Sequence, residues 1–141
     1  MLPFLLNKTK NKLEWFFNME RKPYIEFVGL KLDMKTKEKA QFERKNGSPM
    51  KEIFKLMSVM EIMESMQQNI NEVDFDKFDM MSLDFMANLI HASAQRLNAG
   101  TTLDVVYDLM DVYLTDHTVF DLMGVCVELL ANVGYLNFGE E

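Results

Sequence analysis

A short stretch in the C-terminal half joins two predicted helices: Asn98-Ala99-Gly100-Thr101-Thr102-Leu103-Asp104-Val105-Val106. Gly100 is typical of a residue that ends a helix, because glycine adopts positive φ without a steric penalty. Thr101 and Thr102 offer a hydroxyl that can cap the next helix, and Asp104 suits the positive end of its dipole. The stretch therefore predicts a tight link between two packed helices.

Helical periodicity continues on both sides of this link. Residues 82–98 predict one helix and residues 102–115 a second, since apolar positions recur at intervals of three and four. Thr118 and Asp121 repeat the capping pattern for a third helix over 118–133, which ends at Gly134. Three helices joined by short links predict a packed helical unit.

The segment before these helices changes periodicity. Over residues 24–34, Val28, Leu30, Leu32 and Met34 alternate with other residues, which predicts a strand. The aromatic-rich stretch 13–18 is a candidate hairpin partner, although Pro23 restricts pairing to an edge or a strand start.

Two further helices are predicted before the C-terminal unit. Thr36 is a candidate N-cap for a short helix over about 37–46 that ends at Asn46-Gly47. Ser48 and Pro49 suit the start of another helix, predicted over about 49–68.

Length and composition place these elements in one domain. The chain has 141 residues, of which 48% are hydrophobic and 26% charged, as in an ordinary globular domain. We expect a mainly α, compact multi-helix domain with a small N-terminal β-strand or hairpin. Residues 1–23 are expected to form an N-terminal extension that could contribute to that hairpin, and residues 24–141 a single domain. Met1 and Met19 both remain candidates for the biological start.

Charge is divided unevenly along the chain. Residues 1–55 carry 13 Lys+Arg against 7 Asp+Glu, whereas residues 56–141 carry 2 against 15. The acidic part repels phosphate backbones, so we expect no nucleic-acid partner there. No apolar run approaches the roughly 20 residues of a membrane span, so no membrane partner is expected either.

Residues typical of catalytic or metal sites are few, and they lack the spacing of a functional motif. His91, His117 and Cys126 are the only soft metal ligands, and no two of them have the spacing of a metal motif. The single cysteine favours an intracellular, reducing setting. There is no glycine-rich phosphate loop, and the acidic pairs are interpreted as a solvated face. We expect no catalytic, metal or cofactor site, and therefore not an enzyme.

Methionine is unusually frequent, with 13 in the chain. Flexible thioethers can fill a core, or they can form an adaptable groove for varied apolar helices, and the sequence leaves both interpretations open. A groove beside an acidic surface would suit an amphipathic partner with basic flanks. The candidate partner-binding residues are Met57, Met60, Met63, Met66, Phe75, Phe78 and Met81.

Two segments carry a family resemblance: 88–100, Asn-Leu-Ile-His-Ala-Ser-Ala-Gln-Arg-Leu-Asn-Ala-Gly, and 103–111, Leu-Asp-Val-Val-Tyr-Asp-Leu-Met-Asp. Together with the closing helix and residues 134–138, Gly-Tyr-Leu-Asn-Phe, they resemble the tail assembly chaperones of long-tailed siphophages that infect Gram-positive bacteria. The order of a strand, a short helix, a link like 45–49 and further helices is also similar to that family. The resemblance covers roughly residues 24–138.

The resemblance implies a non-catalytic protein of the infected host's cytoplasm, absent from the mature virion. Its expected partner is the tape measure protein, a long helical chain that it coats and keeps soluble until the tail tube assembles. Self-association into oligomers along that client is also implied, with the tail tube protein as a further candidate partner. The candidate partner-binding residues come from residue chemistry and not from positions matched to the family. Two alternatives remain: a structural tail or head-tail component, and an acidic regulatory interaction module.

The groove interpretation predicts the behaviour of a double variant. If the methionines line a groove, Met60→Lys with Met63→Lys abolishes partner capture and leaves helicity and thermal melting nearly unchanged. Circular dichroism and a pull-down measure the two properties. Unfolding of the double variant would instead place these methionines in the core.

Overall fold

The fold is mainly helical with a small antiparallel hairpin, as the sequence predicts. A computed structural model describes residues 21–55, 57–58 and 81–135. The predicted hairpin partner at 13–18 lies outside these residues. The strands are β1 (Ile25–Phe27) and β2 (Leu30–Leu32), and the helices are α1 (Thr36–Asn46), α2 (described at 50–55 and 57–58), α3 (Leu83–Ala94), α4 (Leu103–Tyr113) and α5 (Val119–Asn132).

The single strand predicted over 24–34 is in fact a hairpin within that range. Ile25 pairs with Leu32 and Phe27 with Leu30, so the chain reverses between β1 and β2. Val28 and Gly29 form the turn with φ of 44° and 87°, the positive values that a tight two-residue hairpin requires. Val28 therefore lies at an exposed turn, and not on the apolar face shared by Leu32 and Met34.

Helix α3 lies at the centre of the fold. It packs against α1, α4, α5 and β2. The side chains of Met86, Leu89, Ile90 and Ala94 are fully inaccessible to solvent, as their helical spacing predicts. α5 adds the largest single group of further core residues: Leu122, Met123, Cys126, Val127, Leu129, Leu130, Ala131 and Val133.

Two of the three C-terminal helices, α4 and α5, begin at the predicted capping residues. Thr102 Oγ1 accepts a hydrogen bond from the Val105 amide at 3.2 Å. Thr118 Oγ1 accepts from the Asp121 amide at 3.1 Å, and the Asp121 carboxylate accepts from the Thr118 amide at 2.9 Å. The hydroxyl of Ser82 caps α3 in the same way. These bonds satisfy amides that have no partner within the helix.

Two predicted helix ends differ from the structure. α1 is preceded by Lys35 and not capped by Thr36, because the Glu38 carboxylate accepts the Lys35 amide at 2.8 Å. α3 ends at Ala94, four residues before the predicted Asn98.

Beyond the end of α3, the side chain of Asn98 binds the hairpin. Its Oδ1 accepts from the Lys31 amide at 3.2 Å, and its Nδ2 donates to the Lys31 carbonyl at 2.6 Å. Asn132 makes the same pair of bonds to Lys22, at 2.6 and 3.0 Å. Each asparagine side chain thus bonds both the backbone amide and the backbone carbonyl of one residue in the N-terminal part of the described chain.

The Asn132 contact can be tested by truncation. Asn132 is 4% exposed, and Asn132→Ala leaves the Lys22 amide and carbonyl without this partner. We expect a loss of about 1–3 kcal/mol in the free energy of unfolding, measured by urea denaturation.

The matched control is Asn46→Ala. Among the described residues, the side-chain amide of Asn46 bonds only to the Phe42 carbonyl within α1, so its truncation should change stability by less than about 0.5 kcal/mol. Equal stability losses for the two variants would contradict a specific role for Asn132.

Candidate functional site

Two of the predicted partner-binding residues lie in the described part of the chain. Met81 is 4% exposed and belongs to the core, and Met57 is half-buried against that core. Core packing accounts for both of these side chains. Met60, Met63, Met66, Phe75 and Phe78 lie outside the described residues, so the groove interpretation stays a prediction there.

The three soft metal ligands occupy separate environments. Cys126 is free and fully buried on α5, and burial raises the pKa of its thiol. The exposed His117 ring stacks on Tyr113 with ring centroids 4.0 Å apart, and His91 is half-buried on α3. Within the described residues, no group of three or more His, Cys, Asp or Glu could hold a metal ion.

Helix α4 presents apolar side chains to solvent. Val105 is 41% exposed and Val112 is 55% exposed, and the half-buried Leu109 lies between them in the sequence. Positions i, i+4 and i+7 share one side of a helix, so these three side chains form a continuous apolar row. We call this row, with the adjacent Asp104, Asp108 and Asp111, the α4 outer face.

The opposite side of α4 explains why this face points outward. Val106 is fully buried and Met110 is 3% exposed. The Tyr113 ring packs against Phe27 of β1, with centroids 5.2 Å apart. These contacts fix the rotation of α4 about its axis and leave the outer face uncovered by any other described element.

The α4 outer face is acidic as well as apolar. Asp104, Asp108 and Asp111 are exposed, and none of them has an ion pair with another described residue. The sequence contains no lysine or arginine from residue 97 to residue 135. The field at this face is therefore negative and favours cationic groups.

Helix α2 carries the most exposed aromatic ring of the described residues. Phe54 is 55% exposed, whereas the adjacent Ile53 is 1% exposed. Lys51 and Lys55 lie three residues before and one residue after Phe54, and Lys51 is exposed. Lys55 pairs with Glu52 at 3.5 Å. The helix predicted over about 49–68 therefore carries an aromatic ring that the core does not cover.

The periodicity of residues 102–115 predicts a helix but does not indicate that Val105 and Val112 face outward. The core side of that helix holds Val106 and Met110. Val105 and Val112 fall between those positions and share a side with aspartates. Apolar residues seven apart on the polar side of an amphipathic helix are the signal that could have identified them.

A shallow cleft of about 160 Å³ separates α1 from α3. Phe42 and Ala92 provide apolar surface in it, and Lys45, Asn88 and His91 are among the polar residues that line it. Burial and the nearby Lys45 ammonium lower the pKa of His91, while a hydrogen bond with the Thr101 backbone acts in the opposite direction. The imidazole is therefore favoured in its neutral form.

Comparisons of the chain with protein-family models, with curated proteins and with solved structures found no match. Among the described residues, no helix has the length and apolar character needed to cross a membrane.

The lowered pKa of His91 predicts a pH-dependent stability. The unfolded chain binds a proton more tightly at this position than the folded chain does, so stability falls as the pH drops below about 6.5. We expect His91→Gln to lose less stability than the wild-type chain between about pH 7.5 and pH 5.5, measured by urea denaturation at each pH.

The wild-type chain measured in parallel is the control. An unchanged profile for His91→Gln would rule out His91 as the source of the pH dependence.

Proposed function

We propose that this chain is a non-catalytic tail assembly chaperone that binds and coats the helical tape measure protein of a siphophage. It keeps that client soluble in the cytoplasm of the infected host until the tail tube assembles, and it is left out of the mature virion. Several copies associate along one client.

The observation that carries this proposal is the α4 outer face. The described helices already bury a core of their own, so the exposed Val105 and Val112 are not needed to complete it. Exposed apolar side chains beside unneutralised aspartates are typical of a surface that binds another protein. The chain is thus equipped to associate with helices.

The resemblance of residues 88–100 and 103–111 to tail assembly chaperones supplies the identity of the client. The helical fold agrees with that resemblance, because the family's expected order of a strand element followed by helices is also the order of this chain. A coat on a long client needs two kinds of surface, one for the client and one for the next copy. The methionine-rich segment remains the predicted surface for the client.

Co-expression with the neighbouring tail genes tests the proposal. We expect a tagged chain to recover the tape measure protein, with several copies of the chain per client by light scattering of the eluate. The tape measure protein expressed alone should be mostly insoluble. Mass spectrometry of purified particles should not detect the chain.

Other outcomes would favour the alternatives. Recovery of tube or connector proteins alone, or presence of the chain in purified particles, would favour a structural tail component. A monomer that captures one host protein would favour the regulatory module. Equal solubility of the tape measure protein with and without the chain would contradict the chaperone proposal.

A further inference from the structure

The exposed ring of Phe54 projects from a helix whose other side packs into the core. Ile53 is 1% exposed, whereas Phe54 is 55% exposed. Lys51 lies three residues before Phe54, so it is next to the ring on the helix surface. It has no ion pair with another described residue. Phe54 and Lys51 together form an aromatic projection with a cationic neighbour.

The α4 outer face has the spacing that accepts such a projection. Val105, Asp108, Leu109 and Val112 stand at positions i, i+3, i+4 and i+7, the four residues that surround one inserted side chain in helix-to-helix packing. Val105 and Val112 are separated by about 10.5 Å along the helix axis. The half-buried Leu109 lies between them on the same side of the helix. This axial spacing is wide enough to admit one aromatic ring.

Charge complements this shape. Asp108 is the one acidic member of the set of four, and an aspartate there attracts the lysine next to an inserted Phe54. On a larger scale, the described residues up to 58 have 10 Lys+Arg against 5 Asp+Glu, whereas residues 81–135 have 1 against 7. The basic region of one copy therefore attracts the acidic region of another copy.

Helix α1 does not complement the α4 outer face in both charge and shape. It is basic, but it contains none of the large hydrophobic residues that are exposed in this fold. A basic helix without an apolar projection would satisfy the aspartates and leave Val105 and Val112 in water. In the described basic region, Val28 at the hairpin turn is 36% exposed and Phe54 is 55% exposed, so the surface around Phe54 meets both requirements most fully.

We infer that the α4 outer face binds a second copy of this chain, with Phe54 of one copy inserted between Val105 and Val112 of the next and Lys51 placed beside Asp108. This inference rests on the proposed function for its biological role, because self-association lets copies cover a long client. It can be tested on the chain alone.

The expected contact is weak by itself. One aromatic ring buries about 150–250 Å², well below the roughly 1,000 Å² of a stable interface. Copies held next to each other on one client would associate more strongly, because the contact is then effectively intramolecular. A weak contact of this kind keeps free copies largely dispersed and favours assembly where a client collects them.

Sedimentation velocity over a concentration series tests the contact with the full chain. We expect reversible self-association of the wild-type chain below about 1 mM, and a dissociation constant raised about tenfold or more in Phe54→Ser and in Val105→Ser/Val112→Ser. Leu83→Ser is the matched control, since Leu83 is 48% exposed on α3. It should leave the dissociation constant unchanged.

Mixing the two defective chains gives a sharper test. Phe54→Ser keeps an intact α4 outer face, and Val105→Ser/Val112→Ser keeps an intact Phe54. Each should associate with itself much more weakly than the wild-type chain, but an equimolar mixture should form pairs with an affinity close to that of the wild-type contact. Absence of pairs in the mixture would overturn the inference even if both variants are monomeric.

A charge exchange tests the placement of Lys51. Lys51→Glu and Asp108→Lys should each weaken association at low ionic strength, and a chain that carries both substitutions should recover it. The recovery should shrink as salt rises from about 0.05 to about 0.5 M. Additive losses in the double variant would overturn the pairing of these two residues.

The outcomes separate this inference from the proposed function. A wild-type chain that stays monomeric to about 1 mM, or association that is insensitive to Phe54→Ser, overturns the inference. If Val105→Ser/Val112→Ser loses the tape measure protein and keeps self-association, the α4 outer face binds the client and the inference is wrong. If the wild-type chain associates as expected and captures no tape measure protein, the contact stands and the proposed function fails.

Discussion

Burial of α3 is the constraint on which the rest of the structure depends. Its residues Met86, Leu89 and Ile90 have no solvent exposure, and the helix packs against α1, α4, α5 and β2. A helix surrounded in this way must be apolar over most of its circumference, and its few polar groups must be bonded internally. Ser93 meets that requirement, because its hydroxyl donates to the Leu89 carbonyl at 2.7 Å. The other elements are placed by the sides of α3 that they cover.

Local signals in the sequence predict the helices well, because the groups that begin and end them are close along the chain. Thr102 and Thr118 cap α4 and α5 through amides three residues later. The sequence does not predict the hairpin turn, because a Val28-Gly29 pair lacks the asparagine or aspartate that usually marks a two-residue turn. Valine is also an uncommon residue at positive φ.

Contacts between distant residues could not be predicted in the same way. Asn132 binds the backbone of Lys22, 110 residues earlier, and nothing near either residue indicates the other. The side-chain amide of Asn98 likewise bonds across the fold to Lys31, 67 residues earlier. The α4 outer face depends on such information too, since only the tertiary packing of Val106 and Met110 establishes which side of α4 is covered.

The distribution of apolar residue types separates core from surface in the described chain. Every described methionine is buried or half-buried, which agrees with the use of flexible thioethers to fill irregular space. The large exposed apolar side chains are instead valine, leucine, phenylalanine and tyrosine. Valine has few rotamers and loses little entropy when a partner covers it, so it suits a contact of fixed geometry. An adaptable methionine surface suits a client whose sequence varies along its length. In the proposed assembly, rigid apolar side chains recognise an identical copy and flexible methionines bind the varied client.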